Sequence, residues 1–173
     1  MQINGLDHVA FRCRDAEETR LFYEELLGLP LVAVSSGEAC VRHDGAAEVL
    51  QLQFALSDGG RLSFIDAPAT ARPDQFAPTD GAERHVALSL ASAEALLALK
   101  QLLDEHDIPC GEPVTAAGAM ALSLWDPNGL QLELVAPLLP REAGTADAAA
   151  RDHLARWSEQ TRARKAWLFP VKA

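Results

Sequence analysis

Apolar and polar positions follow the same course in two halves of the chain. The first half begins with LDHVAFRCRDAEETRLFYEELLGLPLV and the second with ERHVALSLASAEALLALKQLLDEHDIPC. Aligning His8 with His85, 77 residues further on, needs no gap through the stretch that follows, and His-Val-Ala recurs at both places. Such self-similarity predicts two copies of one supersecondary unit.

The first half predicts a strand, a helix and then further strands. Residues 6–13 alternate between polar and apolar, which is typical of a strand. Asp15 and Glu18 have the spacing of a helix N-cap with a capping box, and Gly28 is a natural helix end. Strands are predicted over 31–35, 38–43, 47–56 and 61–66, although the pattern leaves the division of 31–56 open.

The second half repeats this order. A strand is predicted over 84–90, a helix capped by Ser92 runs to about Glu105, and strands follow over 112–116, 119–125 and 130–135. The sequence DPNG at 126–129 predicts a turn between the last two. The predicted fold class is therefore α+β, with two βαβββ modules that form a cupped mixed sheet.

These elements divide the chain into four predicted regions. The modules occupy 1–67 and 84–137, a linker occupies 68–83, and a C-terminal helical extension occupies 138–173. Pro68, Pro73 and Pro78 make the linker typical of an extended segment without a helix. The extension has no counterpart in the repeat, and we expect its helix at 147–165 to pack on the body or on a second subunit.

Three side chains that commonly bind metals fall on the polar faces of predicted strands. Strand alternation puts His8, His85 and Glu133 on the faces opposite the bulky apolar residues. Two imidazoles and a carboxylate form a facial triad that leaves coordination positions open, as in catalytic sites. A single strand histidine is more often structural, and a single strand glutamate usually faces solvent. The repeat favours the metal site, because equivalent histidines would meet near a pseudo-two-fold axis.

Weaker candidates surround these three. Arg12 and Gln131 share their faces, and they are predicted to stabilise an anionic substrate and to orient it. His43 is placed at the edge of the same pocket. His106 and His153 are expected to be exposed to solvent.

Composition narrows the function classes. Of 173 residues, 49% are hydrophobic and 23% charged, which is ordinary for a globular protein, and the net charge of −10 argues against nucleic-acid binding. No apolar run approaches the roughly 20 residues needed to cross a membrane, and the first residues do not have the pattern of a signal peptide, so a cytoplasmic location is expected. The three cysteines indicate neither a disulfide framework nor a cysteine zinc site, and Cys13 is expected to pack in the core.

Four motifs together resemble the vicinal oxygen chelate superfamily, which includes glyoxalases, bleomycin resistance proteins and extradiol dioxygenases. They are Leu-Asp-His-Val-Ala, Phe-Tyr-Glu-Glu-Leu-Leu-Gly-Leu-Pro, Arg-His-Val-Ala-Leu and Trp-Asp-Pro-Asn-Gly-Leu-Gln-Leu-Glu-Leu, and they span about residues 3–137. The resemblance implies a cupped sheet around a metal. It maps the three family ligands on His8, His85 and Glu133.

The resemblance also separates the possible reactions. Many members carry a fourth metal ligand at a position that corresponds here to Ser63 or Phe64. Asp66 would take that position if the strand had a different register. A three-ligand site resembles extradiol dioxygenases and fosfomycin enzymes rather than glyoxalase I. Ala10 stands where fosfomycin enzymes carry threonine, and Tyr23, on the first helix, is the only tyrosine, so the second-shell tyrosine of extradiol enzymes is missing.

The resulting hypothesis is a mononuclear metal enzyme that binds a small molecule through adjacent oxygens. An extradiol-type dioxygenase with Fe(II) is the first choice, and Mn(II), Zn(II) and Ni(II) are alternative metals. A glyoxalase-type lyase or isomerase, with a fourth ligand from Asp66, Glu48 or water, is the second. A metal-free antibiotic-binding protein is the third. A homodimer is expected, with the modules paired within one chain or exchanged between two.

Overall fold

The computed structural model describes residues 4–41, 45–78, 85–139 and 148–168. The elements of the first module are β1 (His8–Cys13), α1 (Ala16–Arg20, continued by a π-helical turn over Leu21–Leu26), β2 (Leu31–Val41), β3 (Gly45–Ala55) and β4 (Arg61–Asp66). Those of the second are β5 (His85–Ser89), α2 (Ala93–Glu105), β6 (Val114–Ala116), β7 (Ala119–Trp125) and β8 (Gln131–Pro137).

Each module forms a four-stranded mixed sheet with the same strand order. The first sheet runs β1-β4-β3-β2 and the second runs β5-β8-β7-β6. The first strand of each module is parallel to the last strand, and the other pairs are antiparallel. The predicted α+β fold with two βαβββ modules is therefore confirmed. A single long β2 replaces the two strands that the pattern placed over 31–35 and 38–43.

Strand alternation sorts the residues of each sheet as the sequence predicts. On β8, Leu132 and Leu134 are almost fully buried, whereas Gln131 and Glu133 are only partly covered. Cys13 at the end of β1 is fully buried, and burial raises the pKa of its thiol to about 12. The apolar faces of both sheets join one hydrophobic core with the helices. A buried, protonated thiol agrees with the packing role expected for Cys13.

Both helices begin at the predicted caps. The Asp15 carboxylate accepts a hydrogen bond from the Glu18 backbone N–H at 2.7 Å, and the Ser92 hydroxyl accepts one from Ala95 N–H at 3.3 Å. The Glu18 carboxylate binds the Arg14 guanidinium instead of returning to the cap, because an arginine one turn away offers two charge-assisted hydrogen bonds. Only the first half of the expected capping box therefore forms.

A buried polar network ties α1 to the turn before β8. The Tyr23 hydroxyl donates to the Asp126 carboxylate at 3.0 Å, and the Asn128 amide nitrogen donates to the Asp126 carboxylate and to the Thr19 hydroxyl. The Arg14 backbone N–H donates to the Asn128 side chain at 2.9 Å. Because these residues belong to different modules, the network fixes how the two modules pack within the chain.

The linker contains short helical turns that the sequence does not predict. Two short 3-10 turns, Pro68–Thr70 and Pro73–Phe76, lie in a segment that was predicted to contain no helix. Proline at the first position of a turn has a favourable φ and loses no hydrogen bond there, so the same prolines that exclude a long helix permit these short ones. The second turn lies directly against Gly129, whose φ is +74°.

The C-terminal region forms a separate unit. Helix α3 spans Ala148–Thr161 and is followed by a 3-10 segment over Ala163–Leu168. The helix predicted over 147–165 is therefore present. In the described part of the chain, no helix combines the length and apolar character that crossing a membrane requires.

Candidate metal centre

Two of the three predicted ligands lie together on the second sheet. Parallel pairing of β5 with β8 aligns His85 with Gln131 and Ala87 with Glu133. The His85 Nε2 atom lies 3.6 Å from a Glu133 carboxylate oxygen, and each side chain is 36% exposed. An imidazole nitrogen and a carboxylate oxygen at this separation can both lie about 2.0–2.2 Å from one cation. The donor chemistry and the spacing of this pair therefore fit a divalent metal.

The third predicted ligand has a different neighbour. The His8 Nδ1 atom lies 2.7 Å from an Asp7 carboxylate oxygen. This hydrogen bond to His8 holds the pKa of the Asp7 carboxyl below its ordinary value. Within the residues that the structure describes, no group of three or more His, Cys, Asp or Glu side chains is arranged to hold a metal. One chain thus brings His85 and Glu133 together and does not add His8 to them.

The faces that carry these ligands are open. His8 and Ala10 on β1 are exposed, and so are His85 and Ala87 on β5. Leu6, just before β1, is 65% exposed despite its apolar side chain. Each module therefore presents a polar sheet face with a histidine near its start, which another molecule can cover.

Arg12 and Gln131 line one cleft between the modules. The cleft has a volume of about 220 Å³, and its wall also contains Phe11, residues 128–130 and the linker residues Gln75 and Ala77. An Arg12 Nη atom donates to the Ala67 carbonyl at 3.0 Å and to the Thr70 hydroxyl at 2.9 Å. The two residues that strand parity placed near a substrate thus line the same cleft. His43 lies outside the described residues.

The positions considered for a fourth ligand have other environments. Ser63 and Phe64 are fully buried in β4. The Asp66 carboxylate accepts a hydrogen bond from the Ala16 backbone N–H at 3.1 Å, so it helps to begin α1. His106 is exposed, as expected, and its Nδ1 atom contacts the Leu102 carbonyl oxygen.

Sequence reasoning assigned the 126–129 segment to a turn and missed its polar network. Asp126 accepts four hydrogen bonds, from Tyr23, the Asn128 side chain and the backbone N–H groups of Asn128 and Leu130. Burial nevertheless raises the pKa of the Asp126 carboxyl. Burial and the nearby Asp126 also raise the pKa of Tyr23 well above its ordinary value. One feature of the sequence could have indicated this network. Tyr23 is the only tyrosine of the chain and lies on an otherwise apolar helix face, and a buried tyrosine hydroxyl usually has a hydrogen-bond partner.

Comparison with known proteins agrees with this architecture. Residues 5–134 match the Glyoxalase/Bleomycin resistance protein/Dioxygenase superfamily, and the chain belongs to this superfamily. The four motifs of the vicinal oxygen chelate resemblance therefore identified the family correctly.

Individual relatives are distant. A protein of Bacillus subtilis (strain 168), named "Putative ring-cleaving dioxygenase MhqA", is 27% identical over 138 residues, which are 79% of this chain and 41% of the relative. This chain thus spans less than half the length of that protein.

Solved structures share the fold. A glyoxylase/bleomycin resistance protein/dioxygenase domain from Frankia sp. EAN1pec has a TM-score of 0.64 at 19% identity, covering 83% of this chain and 96% of the other. A mutant of the fosfomycin resistance protein FosX from Listeria monocytogenes, complexed with Mn(II) and 1S,2S-dihydroxypropylphosphonic acid, has a TM-score of 0.55 at 11% identity, covering 87% and 98%. At these identities the likeness shows the fold alone.

Proposed function

We propose that this protein is a mononuclear metal-dependent enzyme that acts on a small molecule chelated through adjacent oxygens. The observation that carries the proposal is the approach of His85 Nε2 to the Glu133 carboxylate, 3.6 Å apart on an open sheet face. His85, Glu133 and His8 are the proposed ligands. A set of two imidazoles and one carboxylate leaves positions on the metal for a substrate and a second reactant.

The third ligand comes, in this proposal, from a second copy of the chain. Within one chain His8 hydrogen-bonds to Asp7 and joins no metal-binding group among the described residues. The faces of β1 and β5 that carry the histidines are exposed, and so is the apolar side chain of Leu6 just before β1. A homodimer with exchanged modules would cover these faces and bring the His8 of each chain to the pair of the other.

The chemistry favoured here is ring cleavage of a catechol-like substrate by an extradiol-type dioxygenase. The name of the Bacillus subtilis relative supports this reaction class. The metal, when bound, supplies Lewis-acid polarisation that lowers the pKa of the adjacent substrate hydroxyls. His85 and Glu133 would hold that ion on the open face of the second sheet.

Iron(II) is the first choice of metal, because two histidines and one carboxylate are the ligand set of non-haem iron oxygenases. Manganese(II) is the second, since the FosX mutant with the same fold was complexed with Mn(II). Zinc(II) and nickel(II) would instead favour a lyase or isomerase of glyoxalase type.

Anaerobic loading with Fe(II), followed by oxygen uptake with catechol and substituted catechols, tests the proposal. We expect uptake and a yellow ring-cleavage product with at least one catechol, and neither with the variant Glu133→Gln. Full iron occupancy without uptake on any diol would contradict the dioxygenase, and turnover of a hemithioacetal without oxygen would favour the lyase. Protein purified without a histidine tag that binds no divalent metal would favour the metal-free binding protein.

A further inference from the structure

The cleft between β1 and β8 contains an arginine whose charge is not neutralised. The Nη donors of Arg12 that the structure pairs go to a neutral carbonyl and a neutral hydroxyl, those of Ala67 and Thr70. Among the described residues, no carboxylate forms an ion pair with Arg12, although Arg14 and Arg20 both have one. A partly buried guanidinium whose hydrogen-bond partners are all neutral attracts an anion.

Two residues on the wall of the same cleft each carry a buried polar atom without a hydrogen-bond partner. Within the described residues, three buried side-chain polar atoms lack a hydrogen-bond partner: Arg12 Nε, Gln131 Oε1 and Ser63 Oγ. Arg12 and Gln131 both line the cleft, and Ser63 does not. One of the two atoms is a donor on a cation and the other is an acceptor. Since unsatisfied buried groups are rare and costly, their occurrence on one cavity wall points to a ligand.

The other polar side chains of the wall form hydrogen bonds of their own. The Asn128 amide binds Arg14, Thr19 and Asp126, and the Gln75 side chain accepts from the Arg72 backbone N–H. The hydrogen-bonding atoms of the Asn128 side chain are therefore occupied, whereas no described residue binds the amide nitrogen of the exposed Gln75 side chain. Phe11 and Leu130 supply an apolar surface beside the two unsatisfied groups.

The size of the cleft limits the ligand. The cleft has a volume of about 220 Å³. This is below the range of drug-sized pockets, which begins at about 300 Å³. Both unsatisfied atoms are shielded from bulk water, so a ligand reaches them by a turn of the Arg12 and Gln131 side chains, a kind of change that is common on binding.

We infer that the cleft between β1 and β8 binds a small carboxylate that also carries a hydrogen-bond donor. The carboxylate pairs with the Arg12 guanidinium, and the donor, a hydroxyl or an amine, reaches the Gln131 amide oxygen. The apolar part of the ligand contacts Phe11 and Leu130. This site goes beyond the proposed metal centre, because it lies within one chain and uses neither imidazole.

Binding to metal-free protein tests the inference apart from the proposed enzyme function. Lactate and 3-hydroxypropionate carry a charge and a donor, propionate carries only the charge, and lactamide carries no charge. Titration of EDTA-treated protein at constant ionic strength, followed by NMR of the methyl and backbone signals, compares the four. We expect at least one hydroxy acid to bind with a dissociation constant on the order of 1 mM, as suits about six non-hydrogen atoms. Propionate should bind at least threefold more weakly and lactamide at least tenfold more weakly.

Variants assign the binding to the cleft. Arg12→Gln should weaken hydroxy-acid binding at least tenfold, and Gln131→Leu should remove the preference over propionate. Arg61→Gln removes a cation outside the cleft wall, and Glu133→Gln removes a proposed metal ligand; both should keep the affinity within twofold. Equal affinity for lactate and lactamide in the wild-type protein would overturn the inference, even if Arg12→Gln failed to fold. Unchanged affinity in a folded Arg12→Gln protein would also overturn it.

Discussion

His85 and Glu133 face the same side of the second sheet, with Nε2 and a carboxylate oxygen 3.6 Å apart. The two residues are diagonal neighbours on parallel strands, because Glu133 pairs with Ala87, two positions beyond His85. The geometry follows from strand pairing alone, so a change of either side chain should leave the fold intact.

The first prediction concerns the carboxylate. Glu133→Gln replaces a charged ligand by a neutral amide of the same shape, and we expect the affinity for a divalent metal to fall at least tenfold. Metal content after dialysis and calorimetric titration measure it. Glu112→Gln is the matched control, since Glu112 is 89% exposed beside Lys100. This variant should bind the metal with the affinity of the wild-type protein. Equal affinity in the two variants would remove Glu133 from the ligand set.

The second prediction concerns Asp7. Its carboxylate lies 2.7 Å from His8 Nδ1, so a neutral His8 that donates this proton directs the lone pair of Nε2 outward. Histidines that bind metals commonly have such a partner, and its loss costs about 10–100-fold in affinity. Asp7→Asn should therefore weaken metal binding by about tenfold in the same titration. Asp74→Asn, a change of a carboxylate that is 81% exposed, serves as the control. No difference between the two would show that Asp7 does not orient His8.

The third prediction is a pH dependence of stability. Burial raises the pKa of Asp126 above 3.8, so the folded protein holds this proton to higher pH than the unfolded chain does. The contribution of Asp126 to stability is therefore complete below about pH 4 and decreases as the pH rises through the raised value. Urea unfolding at several pH values measures the free energy of unfolding of the wild type and of Asp126→Asn. The difference between the two should decrease with rising pH by up to about 1.4 kcal/mol per pH unit. Parallel curves for the two proteins would contradict it.

The fourth prediction tests the close approach of the linker to the second module. A Cβ atom on Gly129 would lie 2.5 Å from the Phe76 carbonyl oxygen, and the φ of +74° is itself unfavourable for alanine. Gly129→Ala should destabilise the protein by about 2 kcal/mol or more, measured by urea unfolding. Gly37→Ala is the control, because nothing lies within 4 Å of its Cβ position and its φ is not positive. Equal stability of the two variants would show that the linker does not pack there.

Much of the fold could be predicted because the deciding information is local. Alternation along β8 and the caps at Asp15 and Ser92 depend on neighbouring residues only, and the repeat extended the prediction from one module to the other. The long β2 and the two 3-10 turns were missed. Gly37 interrupts the apolar pattern without ending the strand, and the linker prolines are equally compatible with an extended chain and with a single turn.

The candidate site was predictable only as far as strand parity reaches. Parity put His85 and Glu133 on one face, and the structure brings them together. Parity also put His8 on an open face of the first sheet. Which other sheet face lies opposite His8 depends on how the modules pack, and a local sequence pattern does not encode that packing. The Tyr23–Asp126 contact escaped prediction for the same reason, since it joins residues 103 positions apart.

The most direct test of the shared metal centre is metal analysis of a mixed dimer. His8→Ala and Glu133→Ala chains, each with a different affinity tag, are co-expressed, and the heterodimer is isolated by both tags. A centre built from His8 of one chain and His85 with Glu133 of the other leaves one intact site in the heterodimer. The account predicts half the metal content of the wild-type dimer there and none in either parent variant. A heterodimer as empty as its parents, beside a wild type that binds metal, would contradict it.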